Sequence, residues 1–491
     1  MNTIKIIRNR ILVTILLGMM GANAFSYGGD IYIEDANGFR IYFNYINLGT
    51  ELELACGDYK GHFVVPEEVK YGPGTKKVTG IGKHAFYNSQ VSAVTIPKSI
   101  NYIGEDAFYG CTNLTTVNIL DLAKWCGIDF KTKLSSPFHY ALHFSVNGEE
   151  VKDLVIPDGI HSISPMAFYG CKCITSVVFP NSMRIIGTSA FEGCSGLTSI
   201  NLNSVTEIGK KAFEGCFGLN SLIVPQNVVY ILNQAFSSCT NLKSITIDKG
   251  EQSLAIYNKA FQDCNNLVSI SFGNRVREIR SGAFSGCTSL TTLTIPNSVA
   301  AIGDQAFSGC TSLTTLTIPN NVVSINDQAF YGCTKLTTVN IGNGVKTIDN
   351  KAFYGCSNLT SLYLGNSITN IGIWAFYGAE IKTIVSLMEN PCEIYGELSN
   401  TSVFSSKTYH NATLYVPIGT IDKYMDTEGW EDFLFIKEGT GPDNTSISSI
   451  NNRTEAGIIR YNLNGINIAA PLKGINIIKK SDGTTEKILV K

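Results

Sequence analysis

The sequence predicts an α/β solenoid in which each repeat of about 23 residues supplies a strand plus a short helix or 3-10 turn. The repeats stack into a curved array with β-rich caps at both ends. Three observations carry this reading. A Phe is followed three residues later by a Cys ten times, at Phe108, Phe168, Phe191, Phe213, Phe236, Phe261, Phe284, Phe307, Phe330 and Phe353, each time within Ala-Phe-x-x-Cys. Two further copies, at Phe86 and Phe376, keep the Ala-Phe and lose the Cys. From Phe261 to Phe376 the spacing is 23 residues at every step, and a fixed period of that size marks one small unit stacked on itself.

At the start of the chain, Lys5, Arg8 and Arg10 precede an apolar run from Ile11 to Met20 and then Ala22-Asn23-Ala24. This is the layout of a cleaved secretory signal, assigned to residues 1–24. The apolar run is too short to span a bilayer, and no other segment is apolar enough, so the protein is expected to be exported with no transmembrane span. Residues 25–76 hold alternating segments (Ile31-Tyr32-Ile33, Ile41-Tyr42-Phe43, Leu52-Glu53-Leu54) and no Ala-Phe, and read as an N-terminal β cap.

Repeats fill residues 77–379. The clearest unit runs from Leu290 to Cys310. Leu293 and Ile295 alternate as in a half-buried strand, and Pro296-Asn297-Ser298 ends it. Val299 and Ile302 return the chain to the core, and Gly303 is expected to permit a bend. Phe307, Cys310 and Leu313, three apart, fall on one side of a helical or 3-10 turn. Strands pack ~4.8 Å apart and helical segments need up to ~10 Å, so the strands should line the concave face. Two places break the period. The gap from Phe108 to Phe168 is 60 residues, which indicates an irregular repeat with an insertion over residues 120–150. The gap from Phe236 to Phe261 is 25, a bulge near Lys249-Gly250.

Residues 380–437 read as a C-terminal cap with strand and helix character. Residues 438–456 form a Gly-, Asn-, Ser- and Thr-rich linker, and residues 457–491 a β segment. By its place at the end of the chain that segment resembles the short sorting segments of secreted proteins, which implies a secretion or sorting signal; the alternative is a small stabilising tail.

Composition excludes some functions. The net charge is −2, with no Lys/Arg block, which argues against nucleic acid. Charged residues are 16% of the chain, well below the usual quarter or so, and Ser, Thr, Asn and Gly take the surface positions. Ten of the 14 cysteines occupy one position of the repeat. Side chains at equivalent positions run parallel rather than converging, so these read as buried free thiols. Cys56, Cys126, Cys173 and Cys392 lie outside that series and are the remaining candidates for disulfides. Cys126 with His139 and His143 is the nearest approach to a Cys/His pair, but it lacks the flanks of a cysteine protease. Cys171-Lys172-Cys173 offers too few ligands for a metal. No catalytic residue, metal site or cofactor is assigned.

Two surfaces remain as binding candidates. Thr292, Thr294, Thr315, Thr317, Thr338, Asn340, Ser361 and Tyr363 flank the buried positions of successive strands as an almost uncharged row. Such residues either build a flat hydrogen-bonding surface or merely solubilise exposed strands. Tyr331, Tyr354 and Tyr377, with Trp374 nearby, should align across repeats, as a second binding surface or as packing on the convex side.

The pattern L-x-x-L-x-I-P-x-x-V-x-x-I-G-x-x-A-F-x-G-C resembles the BspA-like class of leucine-rich repeat found in surface proteins of Bacteroidetes. The likeness covers roughly residues 77–379. It makes the expected fold a leucine-rich repeat solenoid, and residues 380–437 resemble the strand-then-helix cap of such arrays. It implies a non-enzymatic adhesion protein at the cell surface or outside the cell, binding host extracellular-matrix proteins, other cells or glycans. A different reading is a glycan- or mucin-capturing module that serves polysaccharide use.

Overall fold

In the computed structural model each repeat supplies two strands and one run of turns, and the stack of repeats closes a single continuous core. The structure describes residues 28–35, 38–71 and 74–441, together with the short strands Lys5–Ile6, Ile459–Asn462, Gly474–Lys479 and Thr485–Val490. Most of the expected signal peptide and of the linker therefore lies outside the described residues. The array is a β-solenoid of about 17 turns with few helices.

The longer strands, such as Thr315–Ile318, Thr338–Ile341 and Ser361–Leu364, pair in parallel and in register, Thr315 with Thr338 and Thr338 with Ser361. Leu316, Val339 and Leu362 point into the core from them. A second parallel sheet of ten strands runs from Ser162–Ile163 to Asn370–Ile371, and most of its strands are two residues long. It is formed where the sequence reading had only a return of the chain to the core at Ile302, and two residues are too few for alternation to show.

The Ala-Phe-x-x-Cys stretch forms the third side. Alternate amides there point in two directions. Those of Gln305, Phe307 and Gly309 donate to Asp327, Ala329 and Tyr331 of the next repeat, at 2.8, 2.8 and 2.7 Å. Those of Ala306, Ser308 and Cys310 close turns onto Gly303, Gln305 and Phe307. A continuous helix would spend all of them within one repeat, so this side is a chain of turns tied to its neighbour. Gln305 and Gly309 are left-handed to allow it, with φ of 55° and 74°. Gly303 is not left-handed; a Cβ there would come within 2.9 Å of the backbone of Arg280 and Ser281, so it serves close stacking rather than a bend.

The residue before Ala is left-handed in every copy, although eleven of the twelve are not glycine, among them Gln328 (φ 57°), Lys351 (φ 57°) and Trp374 (φ 55°). Ser238 (φ 58°) holds the position that is Gly309 in the next-but-two repeat. Left-handed backbone costs an ordinary residue roughly 1–2 kcal/mol, part of which glycine's greater unfolded entropy offsets. Ser238→Gly and Gln328→Gly are therefore each expected to stabilise the protein by about 0.5 kcal/mol, and Gln328→Val to destabilise it, measured as shifts of the urea midpoint.

The core is ordered as ladders. The phenylalanine rings from Phe168 to Phe376 stack on their neighbours at centroid separations of 5.1 to 5.4 Å and angles of at most 8°. Phe138, from the irregular repeat, extends the ladder at 6.1 Å from Phe168, and Phe404 ends it at 5.5 Å from Phe376. Beside the rings, nine of the ten repeat cysteines donate their thiol to the carbonyl of the preceding phenylalanine in the ladder, for example Cys310 to Phe284 at 3.5 Å and Cys194 to Phe168 at 3.2 Å. Cysteine suits the place because it is small and apolar yet carries a weak donor. All 14 cysteines are free thiols, including Cys56, Cys126, Cys173 and Cys392.

The N-terminal end is an antiparallel meander of Ile31–Glu34, Arg40–Ile46 and Glu51–Leu54. The strand Lys60–Val64 then pairs in parallel with Gln90–Ile96, so stacking begins before the first Ala-Phe. At the other end, Thr383–Ser386, Thr413–Val416 and Phe435–Glu438 continue the long-strand sheet. The helices Ser406–Asn411 and Ile421–Met425 stand in for the turns, and Ser405 caps the first through the Thr408 amide. Tyr409, Trp430 and Phe433 pack around Phe404 and seal the last repeat. Pro442–Lys491 is a separate unit, in which Ile459–Asn462, Gly474–Lys479 and Thr485–Val490 form an antiparallel sheet.

The 25-residue repeat is held by Arg275. This residue stands where Ser298 stands one repeat later, and it is fully buried. Its guanidinium donates to the carbonyls of Asp248, Val228 and Pro225 at 2.9, 2.6 and 2.7 Å, and so fills the space opened by the two extra residues. Arg275→Ala removes three charge-assisted bonds and leaves a cavity, and about 3 kcal/mol of stability should go with them. Arg275→Lys, which cannot fork to three carbonyls, should recover only part of that in the same denaturation assay.

Candidate functional site

The face available to a partner is set by strand register. Outward side chains of the long strands form two rows. The first reads Asp153, Ser176, Ser199, Ser221, Ser244, Ser269, Thr292, Thr315, Thr338 and Ser361. The second reads Val155, Val178, Asn201, Ile223, Thr246, Ser271, Thr294, Thr317, Asn340 and Tyr363. Asp153 is the one charge in either row.

Of the candidates named from sequence, Thr292, Thr294, Thr315 and Thr317 are exposed, and Thr338 and Ser361 are partly so. Asn340 and Tyr363 are not: they are 5% and 8% exposed, and Val385, next in the row, is buried too. Alternation alone assigned these residues to the outer face. Gly441 lies against Val385 and Tyr415 in that row; a Cβ on it would meet Val385 at 2.8 Å and the Tyr415 ring at 3.5 Å. The open part of the face thus lies N-terminal of Asn340. The strand expected at Leu293–Ile295 is reduced to a single bridge between Thr294 and Thr317. The preceding repeat has Phe272-Gly273 where this one has Ile295-Pro296.

Sequence reasoning missed the apolar members of this face. Val155, Val178 and Ile223 are 61%, 45% and 63% exposed, and Val155 and Val178 are direct cross-strand partners. The signal was present as unbroken apolar runs, Leu154-Val155-Ile156, Val177-Val178-Phe179 and Leu222-Ile223-Val224. In each run the outward residue is as hydrophobic as its inward neighbours.

The tyrosines do align. Tyr331 and Tyr354 stack at 5.2 Å and 5°, and Tyr354 and Tyr377 at 6.0 Å and 18°. Stacking uses the ring faces that a sugar would cover and leaves edges and hydroxyls outward. Trp374 is tied down, with its indole N–H donating to Asn400 at 3.1 Å and the Lys351 ammonium 4.8 Å above its ring. The stacked rings thus tie successive repeats together.

Cys126 is buried, with burial pushing its thiol up to about 12. Trp125 beside it donates to Ala167 at 2.9 Å. His139 stacks on Tyr169 at 5.9 Å, and His143 pairs with Glu150 at 3.2 Å on the surface. Among the described residues no three His, Cys, Asp or Glu side chains cluster as a metal site. A polar cleft of about 480 Å³ opens beside the bulge, lined by Asn203, Pro225, Gln226, Asn227, Asp248 and Lys249. No helix is long and apolar enough to cross a membrane among the described residues.

The family model for the BspA-type leucine-rich repeat region, built of six copies, matches residues 74–127, 144–255 and 254–383. The chain belongs to the BspA-type leucine-rich repeat family. Similar solved structures include a leucine-rich cell-surface protein from Faecalibacterium prausnitzii, at 24% identity over 66% of this chain and 95% of that one, TM-score 0.38. A leucine-rich repeat protein from Bacteroides ovatus is 22% identical over 81% of this chain and 98% of that one, TM-score 0.41. The pneumococcal vaccine antigen PcpA is 16% identical over 83% and 98%, TM-score 0.38. No curated protein matches. In this BspA-type chain the motif residues Phe and Cys build the ladders, so the residues between them are the ones left to meet a partner.

Proposed function

We propose that this BspA-type protein is a non-enzymatic adhesin, at the cell surface or secreted, that binds host matrix proteins or other cells through its long-strand face. The observation that carries the reading is the composition of that face: a nearly uncharged row of Ser and Thr hydroxyls with Val155, Val178 and Ile223 exposed among them. Uncharged polar groups around exposed aliphatic side chains are cheap to desolvate and suit a protein partner. The family match supports a binding scaffold, and the export reading of residues 1–24 supports the location.

The full chain, applied to immobilised fibronectin, fibrinogen, collagen and laminin and in parallel to a glycan array, should bind at least one matrix protein saturably and no glycan. Binding confined to glycans would overturn the reading. That second outcome has one observation in its favour, the polar cleft of Asn203, Gln226, Asn227, Asp248 and Lys249, whose amides, carboxylate and ammonium suit a hydroxyl-rich ligand. In that case the chain is a glycan- or mucin-capturing module.

A further inference from the structure

One rung of the thiol ladder differs from the rest. Cys171 has no phenylalanine carbonyl as its partner; its Sγ lies 3.5 Å from Sγ of Cys173, two residues along the same turn. Cys173 takes the place that Ser312 holds in Cys310-Thr311-Ser312, a polar turn position. It is partly exposed, whereas Cys171 is fully buried. The two sulfurs are in van der Waals contact and about 1.5 Å from bonding distance. The other ladder thiols are engaged with carbonyls and closed to solvent.

We propose that Cys171 and Cys173 form a redox pair, closed to an intra-turn disulfide by a small-molecule disulfide such as oxidised glutathione. The Cys173 thiolate attacks one sulfur of the oxidant, forming a mixed disulfide and releasing one glutathione thiolate, which takes up a proton. Cys171 then gives up its proton and attacks Cys173 Sγ, the Cys171–Cys173 bond forms, and the second glutathione leaves. Two protein thiols are oxidised and one glutathione disulfide is reduced to two thiols. The surroundings order the roles: the hydrogen bond from the Cys171 thiol holds Cys173 below the usual thiol range, whereas burial pushes Cys171 up. Cys173 is thus the sulfur that meets the oxidant and Cys171 the one that resolves the adduct.

The test uses the folded full chain with excess oxidised glutathione at pH 8, followed by acid quench, alkylation and tryptic digestion. Lys172 separates residues 153–172 from residues 173–184, so the expected disulfide joins two peptides that are otherwise independent. Two thiols should be consumed before any other reacts. Cys171→Ala should stop at a stable glutathione adduct on Cys173. Cys173→Ser, which restores the residue type of Ser312, should fold normally and lose the fast phase at least ten-fold. A persistent adduct on Cys173 in the unsubstituted chain would overturn the pairing. So would oxidation at Cys56 or Cys392 with the pair left reduced.

Discussion

Above pH 9 the repeat array is expected to lose stability steeply, because its buried thiols cannot ionise in place. Burial pushes Cys111 up to about 11 and Cys310 up to about 12, and drives Cys194, Cys216, Cys239, Cys264 and Cys287 upward as well. In the unfolded chain the same thiols ionise near 8.5 to 9. A raised folded value means that the contribution is complete below the unfolded pKa and is lost as pH climbs toward the folded one. Within that window each unfolding thiol removes about 1.4 kcal/mol per pH unit, so three repeats unfolding together lose about 4. Urea midpoints taken from pH 7.5 to 10.5 should show the fall. Tyr and Lys titrate in the same range, so the decisive comparison is with Cys287→Ala/Cys310→Ala/Cys333→Ala, which should fall less steeply. Equal slopes would show that the ladder does not control the alkaline limit.

Phe307→Ala should cost about 3–5 kcal/mol. The ring is fully buried and sandwiched between Phe284 at 5.4 Å and Phe330 at 5.3 Å, each at 6°. Removing it takes away burial and two stacked contacts, and repeats on either side cannot collapse because their backbones are tied through Phe284–Ala306 and Phe307–Ala329 hydrogen bonds. Phe307→Leu keeps most of the volume and should cost about half as much or less. Each repeat packs mainly on its neighbours, so the damage should be local. Hydrogen exchange is expected to quicken most at Thr315–Ile318 and Thr338–Ile341 and least at the distant His143–Val146.

These expectations rest on features of unequal visibility in the sequence. The period and the Phe and Cys positions were legible because an identical core slot demands an identical side chain in every repeat. The left-handed residue before Ala was not. His84, Met166, Lys211, Gln234 and Trp374 all occupy it, because inter-repeat hydrogen bonds impose the backbone whatever the side chain. Phe138 and Phe404 join the ladder without any Ala-Phe signature, since the irregular repeat and the cap reach the same slot by other chain paths. Arg275 carries no mark of burial in the sequence, and only the spatial adjacency of two earlier turns brings it the three carbonyls it donates to.

The candidate face was legible in part. Alternation found Thr292, Thr294, Thr315 and Thr317, but it assigned Asn340 and Tyr363 to the open surface, where they are buried. Val155, Val178 and Ile223 point outward from within unbroken apolar runs, where alternation gives no signal. Period-two reasoning treats a continuous apolar strand as one buried on both faces. Here the second face is open.

The most direct test of that face is the affinity of the Val178→Arg/Ile223→Arg chain for the matrix protein that the unsubstituted chain binds. Both side chains are exposed, at 45% and 63%, so the urea midpoint should stay unchanged. Affinity should fall at least ten-fold. Unchanged affinity in a folded double variant would contradict the account and move the binding surface off the long strands.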